Sequence, residues 1–336
     1  MKAYEIQQFG IADLTMVDRP DPEPGPGQVL LAMKAWSLNY RDLLVAGGRY
    51  NPKLKFPMVP LSDGVGEVLA VGDGVTRVKT GDRVAGIFMQ NWIIGPFQDS
   101  YAKSAMGGAI DGVLAEKVVL PAEGVTPIPQ DLSYEEAATL PCAGVTAWNS
   151  VVETGEVKSS DTILVLGSGG VSVFALQFAR LKGARVIATS GSDQKAERLK
   201  ELGASDVVNY RNVADWDKKV RELTGGKGID HVVEVGGAGT FQKSLLVTRG
   251  GGRVSVIGNL GGLTTDINVA FILHKWLTVQ GIFVGSRKAF ENMNAAISET
   301  KLKPVIDRVF GFGEASEAMK YMESGAHFGK VVISAS

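Results

Sequence analysis

The chain has 336 residues, too many for one small core, so two domains are expected; 35 basic against 36 acidic side chains give a net charge of −1, which recommends neither nucleic acid nor an anionic membrane as main partner. A single cysteine excludes an intramolecular disulfide and any multi-cysteine zinc module. No apolar run reaches the roughly 18–20 residues of a membrane span, and Met1-Lys-Ala-Tyr-Glu-Ile-Gln-Gln lacks a signal-peptide core, so a cytoplasmic protein acting on small molecules is expected.

Up to about residue 125 the chain is broken into short apolar or alternating runs separated by Gly and Pro, at 28–35, 64–71, 83–88 and 115–120. This is the pattern of a β-rich domain of many short strands. Asp21-Pro-Glu-Pro-Gly-Pro-Gly27 is a turn-dense connector, and Val71-Gly-Asp-Gly and Lys79-Thr-Gly-Asp82 read as tight turns. The segment 88–112 is aromatic and Gly-rich; Trp92 and Phe97 either line an apolar substrate mouth or fill a dimer or domain contact. From about residue 132 helix and strand alternate, starting at a capping box, Ser133-x-x-Glu136.

The most informative stretch is Thr162-Ile-Leu-Val-Leu-Gly167-Ser168-Gly169-Gly170-Val171-Ser172, an apolar run that breaks into glycines and then into a helical pattern over 171–182. One glycine permits the tight turn, another lets backbone approach a pyrophosphate, and the helix aims its N-terminal amides at that anion. Ser172 stands where a third glycine is usual, and a serine is small enough for close helix–strand packing. A second strand is expected over 185–189. Beyond it, where an NAD site usually carries an acidic residue, the chain has Ser190-Gly191-Ser192-Asp193-Gln194-Lys195. Hydroxyls, amides and a lysine accept a 2′-phosphate that a carboxylate would repel, so NADPH is preferred to NADH. Asp193 fits the first turn of the following helix. Tyr210 and Arg211 flank the same phosphate, or Arg211 is an exposed loop charge. Further strands are expected at 231–235, 252–258, 278–284 and 330–334, with two helices beyond residue 290. The fold class is α/β: a doubly wound parallel Rossmann sheet plus a β-rich domain, with boundaries at 126–289 for the first and 1–125 with 290–336 for the second.

Several motifs together carry a family resemblance: Asn39-Tyr40-Arg41-Asp42 before Gly47-Gly48-Arg49-Tyr50, Lys79-x-Gly-Asp-Arg-Val84, Leu140-Pro-Cys-Ala-Gly-Val-Thr146, the glycine turn, and His327-Phe-Gly329-Lys330. The chain resembles the medium-chain dehydrogenase/reductase superfamily over essentially its whole length, and within it the zinc-independent quinone oxidoreductase-like and enoyl-reductase-like branches, as well as proteins called zinc-type alcohol dehydrogenases. The resemblance implies a GroES-like catalytic domain and a homodimer or homotetramer, with 278–284 resembling the edge strand that pairs between subunits.

In the zinc alcohol dehydrogenases that the chain resembles, a cysteine precedes the first Asp, a Gly-His-Glu follows in the next segment, and a third ligand starts the helix before the nucleotide unit. Here Asn39, Leu61-Ser62-Asp63 and Cys142 hold those places, and no zinc is expected. Cys142 then reads as a small buried residue near the cofactor. Without a metal, an enone, enoyl thioester or quinone is a better hydride acceptor than an unactivated alcohol. The resemblance implies that Asn39 and Tyr40 sit at the nicotinamide ribose. Tyr50 lies at the cleft as proton donor or oxyanion donor, the alternative being a packed rim aromatic. Thr146 is placed near the nicotinamide ribose or phosphate, Val235 and Gly236 beneath the adenine side, and Gly329 and Lys330 at the cofactor phosphates. Ile257, Gly258, Phe283 and Val284 end strands at the sheet's carboxyl edge, with backbone groups for the carboxamide. Trp92 and Tyr50 are the candidate substrate contacts. His231, His274 and His327 share no metal spacing. Alternatives are an alcohol dehydrogenase, a nucleotide-binding protein without turnover and, more remotely, a Rossmann-type methyltransferase.

Overall fold

The computed structural model describes residues 1–11 and 14–335, which form two compact units, 1–145 with 285–336, and 146–284. In chain order the first unit begins with β1 (Lys2–Ile6), β2 (Leu14–Asp18), β3 (Gln28–Ser37), α1 (Tyr40–Ala46), β4 (Asp63–Val71), β5 (Arg83–Gly86), β6 (Lys117–Pro121), β7 (Val125–Pro127) and α2 (Tyr134–Ala138). Helical backbone then continues through a π segment at Leu140–Gly144, α3 (Val145–Trp148) and a second π segment at Asn149–Glu153. The second unit carries β8 (Thr162–Leu166), α4 (Gly170–Leu181), β9 (Arg185–Ser190), α5 (Asp193–Glu201), β10 (Asp206–Asn209), α6 (Trp216–Leu223), β11 (Ile229–Glu234), α7 (Phe241–Val247), β12 (Thr248–Val256), α8 (Ala270–His274) and β13 (Thr278–Gly281). The chain closes with α9 (Arg287–Thr300), β14 (Ile306–Gly311), α10 (Ala315–Glu323) and β15 (Lys330–Ser334) in the first unit.

In the first unit β3 is the spine. Its residues alternate in burial, with Val29, Leu31, Met33 and Ala35 inside, as a period-two strand with one core face must. It pairs along its length with β4, while its first half also pairs with β6 and its last residues with β15. The resulting seven-stranded sheet runs β14-β15-β3-β4-β5-β7 with β6 added on β3, and β1–β2 form a separate antiparallel pair. Trp36, fully buried, donates its indole N–H to the Val113 carbonyl, so its one polar atom is satisfied within the core. Both expected turns form, with Gly74 and Gly81 at positive φ. Residues 126–145 and 285–289, placed with the nucleotide-binding half from sequence, belong to this unit. β7 completes the ladder on β5, and Asn294 of α9 donates its amide to the Pro127 carbonyl.

The second unit is one six-stranded, all-parallel sheet in the order β10-β9-β8-β11-β12-β13. Numbered from β8 this is 3-2-1-4-5-6, the doubly wound order whose switch point lies between β8 and β11. Ile163 to Leu166 are all buried, as strands covered on both faces are. Helix α4 packs Phe174 and Phe178 inward as stacked rings, with Trp148 edge-on to Phe178. The last expected strand is shorter than the apolar run suggests: β13 ends at Gly281, and Val284 has φ 58°, a left-handed backbone that cannot continue a pleat. Phe283 and Val284 therefore follow the strand rather than end it. Among the described residues no helix is long and apolar enough to cross a membrane.

Candidate active site

In the second unit the glycine turn forms at the carboxyl end of β8. Gly167 has φ 75°, and its N–H is held by the Thr189 carbonyl at 3.0 Å and hydroxyl at 3.2 Å, tying the turn to the end of β9. A Cβ at Gly167 or Gly169 would meet no protein atom within 4 Å, so the backbone is open to close approach there. Gly169 caps α4 without any side-chain hydrogen bond, leaving the first-turn amides and the positive end of a twelve-residue helix for an anion. Ser172 is fully buried and donates its hydroxyl to the Leu166 carbonyl at 2.7 Å, which is how a residue larger than glycine is tolerated at this helix–strand contact.

At the end of β9 the Ser190 hydroxyl donates to the Ser192 carbonyl, and the Ser192 hydroxyl caps α5. Lys195 lies in the first turn of that helix. Tyr210 packs over the turn so closely that a Cβ at Gly191 would lie 2.4 Å from its hydroxyl. The Asp193 carboxylate accepts from the side-chain amides of Asn209, at 2.6 Å, and Asn212, so it is engaged by the end of β10 and the residues that follow it. Ser192, Lys195 and Tyr210 thus lie together at the carboxyl end of β9, whereas Ser190, expected beside them at the phosphate, is fully buried with its hydroxyl spent on the Ser192 carbonyl. The glycine turn and the open first turn of α4 fit the pyrophosphate of a dinucleotide.

Sequence reasoning passed over Glu234, the last residue of β11. Fully buried, its carboxylate accepts from the Gly236 and Gly237 amides at 2.7 and 3.0 Å and from the Thr240 and Ser244 hydroxyls. It fixes the loop that carries Val235 and Gly236. An acidic residue closing an apolar strand just before two glycines is the signal that marks it. Ile257 and Gly258 lie just past β12, with the Ile257 N–H on the Glu234 carbonyl. The Val284 carbonyl accepts from the Asn149 side chain at 2.6 Å, and Thr146 is buried in the same unit. His231 is a core residue, bonded to Ser255 at 2.8 Å and pushed down to about 3 by burial beside Arg253, so it stays neutral.

The first unit holds the second group of candidates. Asn39 is the N-cap of α1; its N–H donates to the Asp42 carboxylate at 2.7 Å. Burial pushes the Asp42 carboxyl up to about 6 despite the neighbouring Arg41 guanidinium. Ser62 donates to one Asp63 oxygen at 2.7 Å and the Cys142 N–H to the other at 3.2 Å. Lys330, expected at the cofactor phosphates, is instead 2 % exposed, and its ammonium donates to the Leu38 carbonyl and to Asn39 Oδ1, both at 2.6 Å, with Asp63 Oδ2 at 4.0 Å. A buried ammonium must find oxygens, and these are what the β3–β15 register supplies. Burial lowers the Lys330 pKa against the pull of Asp63, and raises that of Asp63 against the pull of Lys330, Asn39 and Ser62. Burial and the Asp63 charge push the Cys142 thiol up, away from the thiolate a nucleophile or metal ligand needs. Gly329 serves packing: at φ 77° a Cβ would lie 2.4 Å from the Val305 carbonyl.

Tyr50 is 36 % exposed, and the buried Arg41 guanidinium lies between its ring and that of Phe88, 4.8 and 4.5 Å from the two centroids. Tyr40 packs against the core of the unit. Trp92, expected to contact substrate, is 6 % exposed, stacked on Tyr101 with Phe97 edge-on, and bonded through its indole to the Gly95 carbonyl. The three rings give the 88–112 segment a small core of their own, which removes Trp92 from the surface.

The donor set does not fit a catalytic zinc. The three matching segments do converge, but they bring a carboxamide, a hydroxyl, one carboxylate and a thiol of raised pKa around an ammonium. Among the described residues no three His, Cys, Asp or Glu side chains are placed to hold a metal ion.

Two family models match the chain: "Alcohol dehydrogenase GroES-like domain" over residues 25–130 and "Zinc-binding dehydrogenase" over 170–299. A zinc-type alcohol dehydrogenase-like protein of Schizosaccharomyces pombe is 44 % identical over 92 % of this chain and 91 % of its own. A quinone oxidoreductase of Homo sapiens is 29 % identical over 99 % and 97 %. A crystal structure of an NAD-dependent alcohol dehydrogenase superposes with a TM-score of 0.92 at 38 % identity, covering both chains fully.

Proposed function

From the premise that the chain belongs to the medium-chain dehydrogenase/reductase superfamily and is an oxidoreductase, we propose that it transfers hydride from NADPH to a quinone or an α,β-unsaturated carbonyl without a catalytic metal. The observation that carries this reading is the ammonium-centred cluster of Lys330, Asn39 and Asp63 where metal-dependent relatives would place their ligands. An acceptor already conjugated to an electron sink needs no Lewis acid, because the charge left by hydride spreads onto an enolate or hydroquinone oxygen.

When bound, the nicotinamide supplies the hydride, and the protein's part is to hold and orient. Gly167, Gly169 and the first turn of α4 take the pyrophosphate. Ser192, Lys195 and Tyr210 take the 2′-phosphate, with the Asp193 carboxylate turned to the Asn209 and Asn212 amides. Asn39, its Oδ1 fixed by Lys330, presents its amide in one orientation. Tyr50 provides a hydroxyl to the substrate oxygen or its proton, with the Arg41 guanidinium packed against its ring. The chain acts as a homodimer or homotetramer, which would cover the exposed Leu273 and Trp276 and the unpaired edge of β13.

The second reading, an NAD-dependent alcohol dehydrogenase, draws support from the solved relative of that activity. The deciding experiment follows NADPH and NADH oxidation by chelator-treated protein with a quinone, an enone and an enoyl thioester. Turnover that survives chelation and prefers NADPH is expected. Silence on all three acceptors, with alcohol oxidation appearing on addition of zinc, would reverse the reading.

A further inference from the structure

We infer that the Lys330 side chain is an internal cation that occupies the place of a metal ion and keeps zinc out of this site. This deepens the metal-free reading above and rests on it only for its starting point. The three segments that carry metal ligands in the zinc-dependent relatives are brought together here, yet their polar groups are organised on one ammonium. Lys330 Nζ donates to Asn39 Oδ1 and to the Leu38 carbonyl at 2.6 Å each, and Asp63 Oδ2 lies 4.0 Å from it. Asp63 is in turn held by Ser62 at 2.7 Å and by the Cys142 backbone at 3.2 Å. Lys330, Asp63 and Ser62 are at most 2 % exposed and Asn39 is 7 % exposed, so this is a packed network rather than a surface contact.

A buried carboxylate requires a counter-charge, and in this network the ammonium supplies it. A divalent cation entering the same cluster would place a second positive centre a few ångströms from a buried ammonium, and it would find a carboxamide oxygen and a hydroxyl in place of an imidazole and a thiolate. Two obstacles therefore oppose zinc: weak ligands and a resident cation. They are separable by mutation, because ligands can be installed with or without Lys330.

The test compares two variants by direct zinc titration, read by competition with a chromophoric chelator and by metal content after dialysis, independently of any turnover. Asn39→Cys with Ser62→His installs the two missing donors beside Asp63 and Cys142. The same pair with Lys330→Ala also removes the cation. The expected result is at least tenfold tighter zinc binding by the triple variant than by the double variant. Equal affinity in the two, including no binding by either, would overturn the proposal, as would stoichiometric zinc in the native protein. If the triple variant does not fold, Lys330→Gln replaces Lys330→Ala in the same titration, keeping a polar side chain for the Leu38 carbonyl without a charge. Failure of the NADPH assay with the three acceptors would leave this binding result standing, so the two readings fail separately.

Discussion

Cofactor preference and pH response are properties that single side chains can shift. Lys195 sits in the first turn of α5, beside the Ser190–Ser192 turn, and the adjacent Asp193 is held by Asn209 and Asn212. A lysine contributing to 2′-phosphate binding contributes nothing to NADH, so Lys195→Ala should raise the KM for NADPH roughly tenfold, about 1.4 kcal/mol of a charge-assisted contact, and leave that for NADH within about twofold. Equal effects in steady-state kinetics with both cofactors would remove Lys195 from the phosphate site. Asp42 carries the pH prediction. Its carboxyl is pushed up to about 6 in the folded chain, against about 3.9 when unfolded, so between those values the folded state binds the extra proton. Its contribution is therefore most favourable below about pH 4 and is lost as pH rises through 6. Relative to Asp42→Asn, whose amide oxygen still accepts from the Asn39 N–H, the native protein should lose about 2 kcal/mol of stability between pH 4 and pH 7. Chemical denaturation of both proteins across that range measures it, and parallel curves would show that Asp42 does not titrate there.

At the level of elements, local signals are reliable where both partners of an interaction lie within a few residues. Ser133 and Glu136 close the capping box read from sequence: the Ser133 hydroxyl accepts from the Glu136 N–H at 3.1 Å and the Glu136 carboxylate from the Ser133 N–H at 2.9 Å. Lys303 adds an ion pair to the same carboxylate. Ser133→Ala should cost about 1 kcal/mol and lower the melting temperature by a few degrees, while Ser133→Asp, which also caps, should cost far less. The short strand β14 and the helix α1 were not read from sequence. β14 is a parallel partner of β15 whose residues are half exposed, so it lacks a continuous apolar run, and α1 at seven residues gives barely two turns of periodicity. The opposite error occurred at β13, where an apolar run extends past the point at which the backbone leaves the pleat.

For the whole molecule, association is the property with the most to gain from exposed surface. Leu273 and Trp276 are 75 % and 87 % exposed and lie just before β13, one of the two edge strands of the parallel sheet. Covering that apolar group by a second copy would also remove an edge that invites adventitious strand pairing. Light scattering should give a dimer or tetramer for the native chain and a shift toward monomer for Leu273→Lys with Trp276→Lys. An unchanged mass would exclude this face from the interface.

The sequence by itself determined the β-rich first unit, the doubly wound second unit, the glycine turn on α4 and the serine-rich end of β9, because each is written in periodicity or in turn chemistry spanning a dozen residues or fewer. Motif order was enough to expect the superfamily. The tertiary structure alone decided what the ionisable groups do. Lys330 and Asn39 are 291 residues apart, and only the pairing of Ser37 with Val332 brings that ammonium to that carboxamide. No local pattern distinguishes a lysine that starts an exposed strand from one that is buried on three oxygens. Trp92 illustrates the same limit, since an aromatic, Gly-rich segment reads alike whether its rings face a ligand or each other. Burial, and with it the charge state and chemistry of a polar side chain, is a property of what packs around it, and that is set by long-range register rather than by neighbours in sequence.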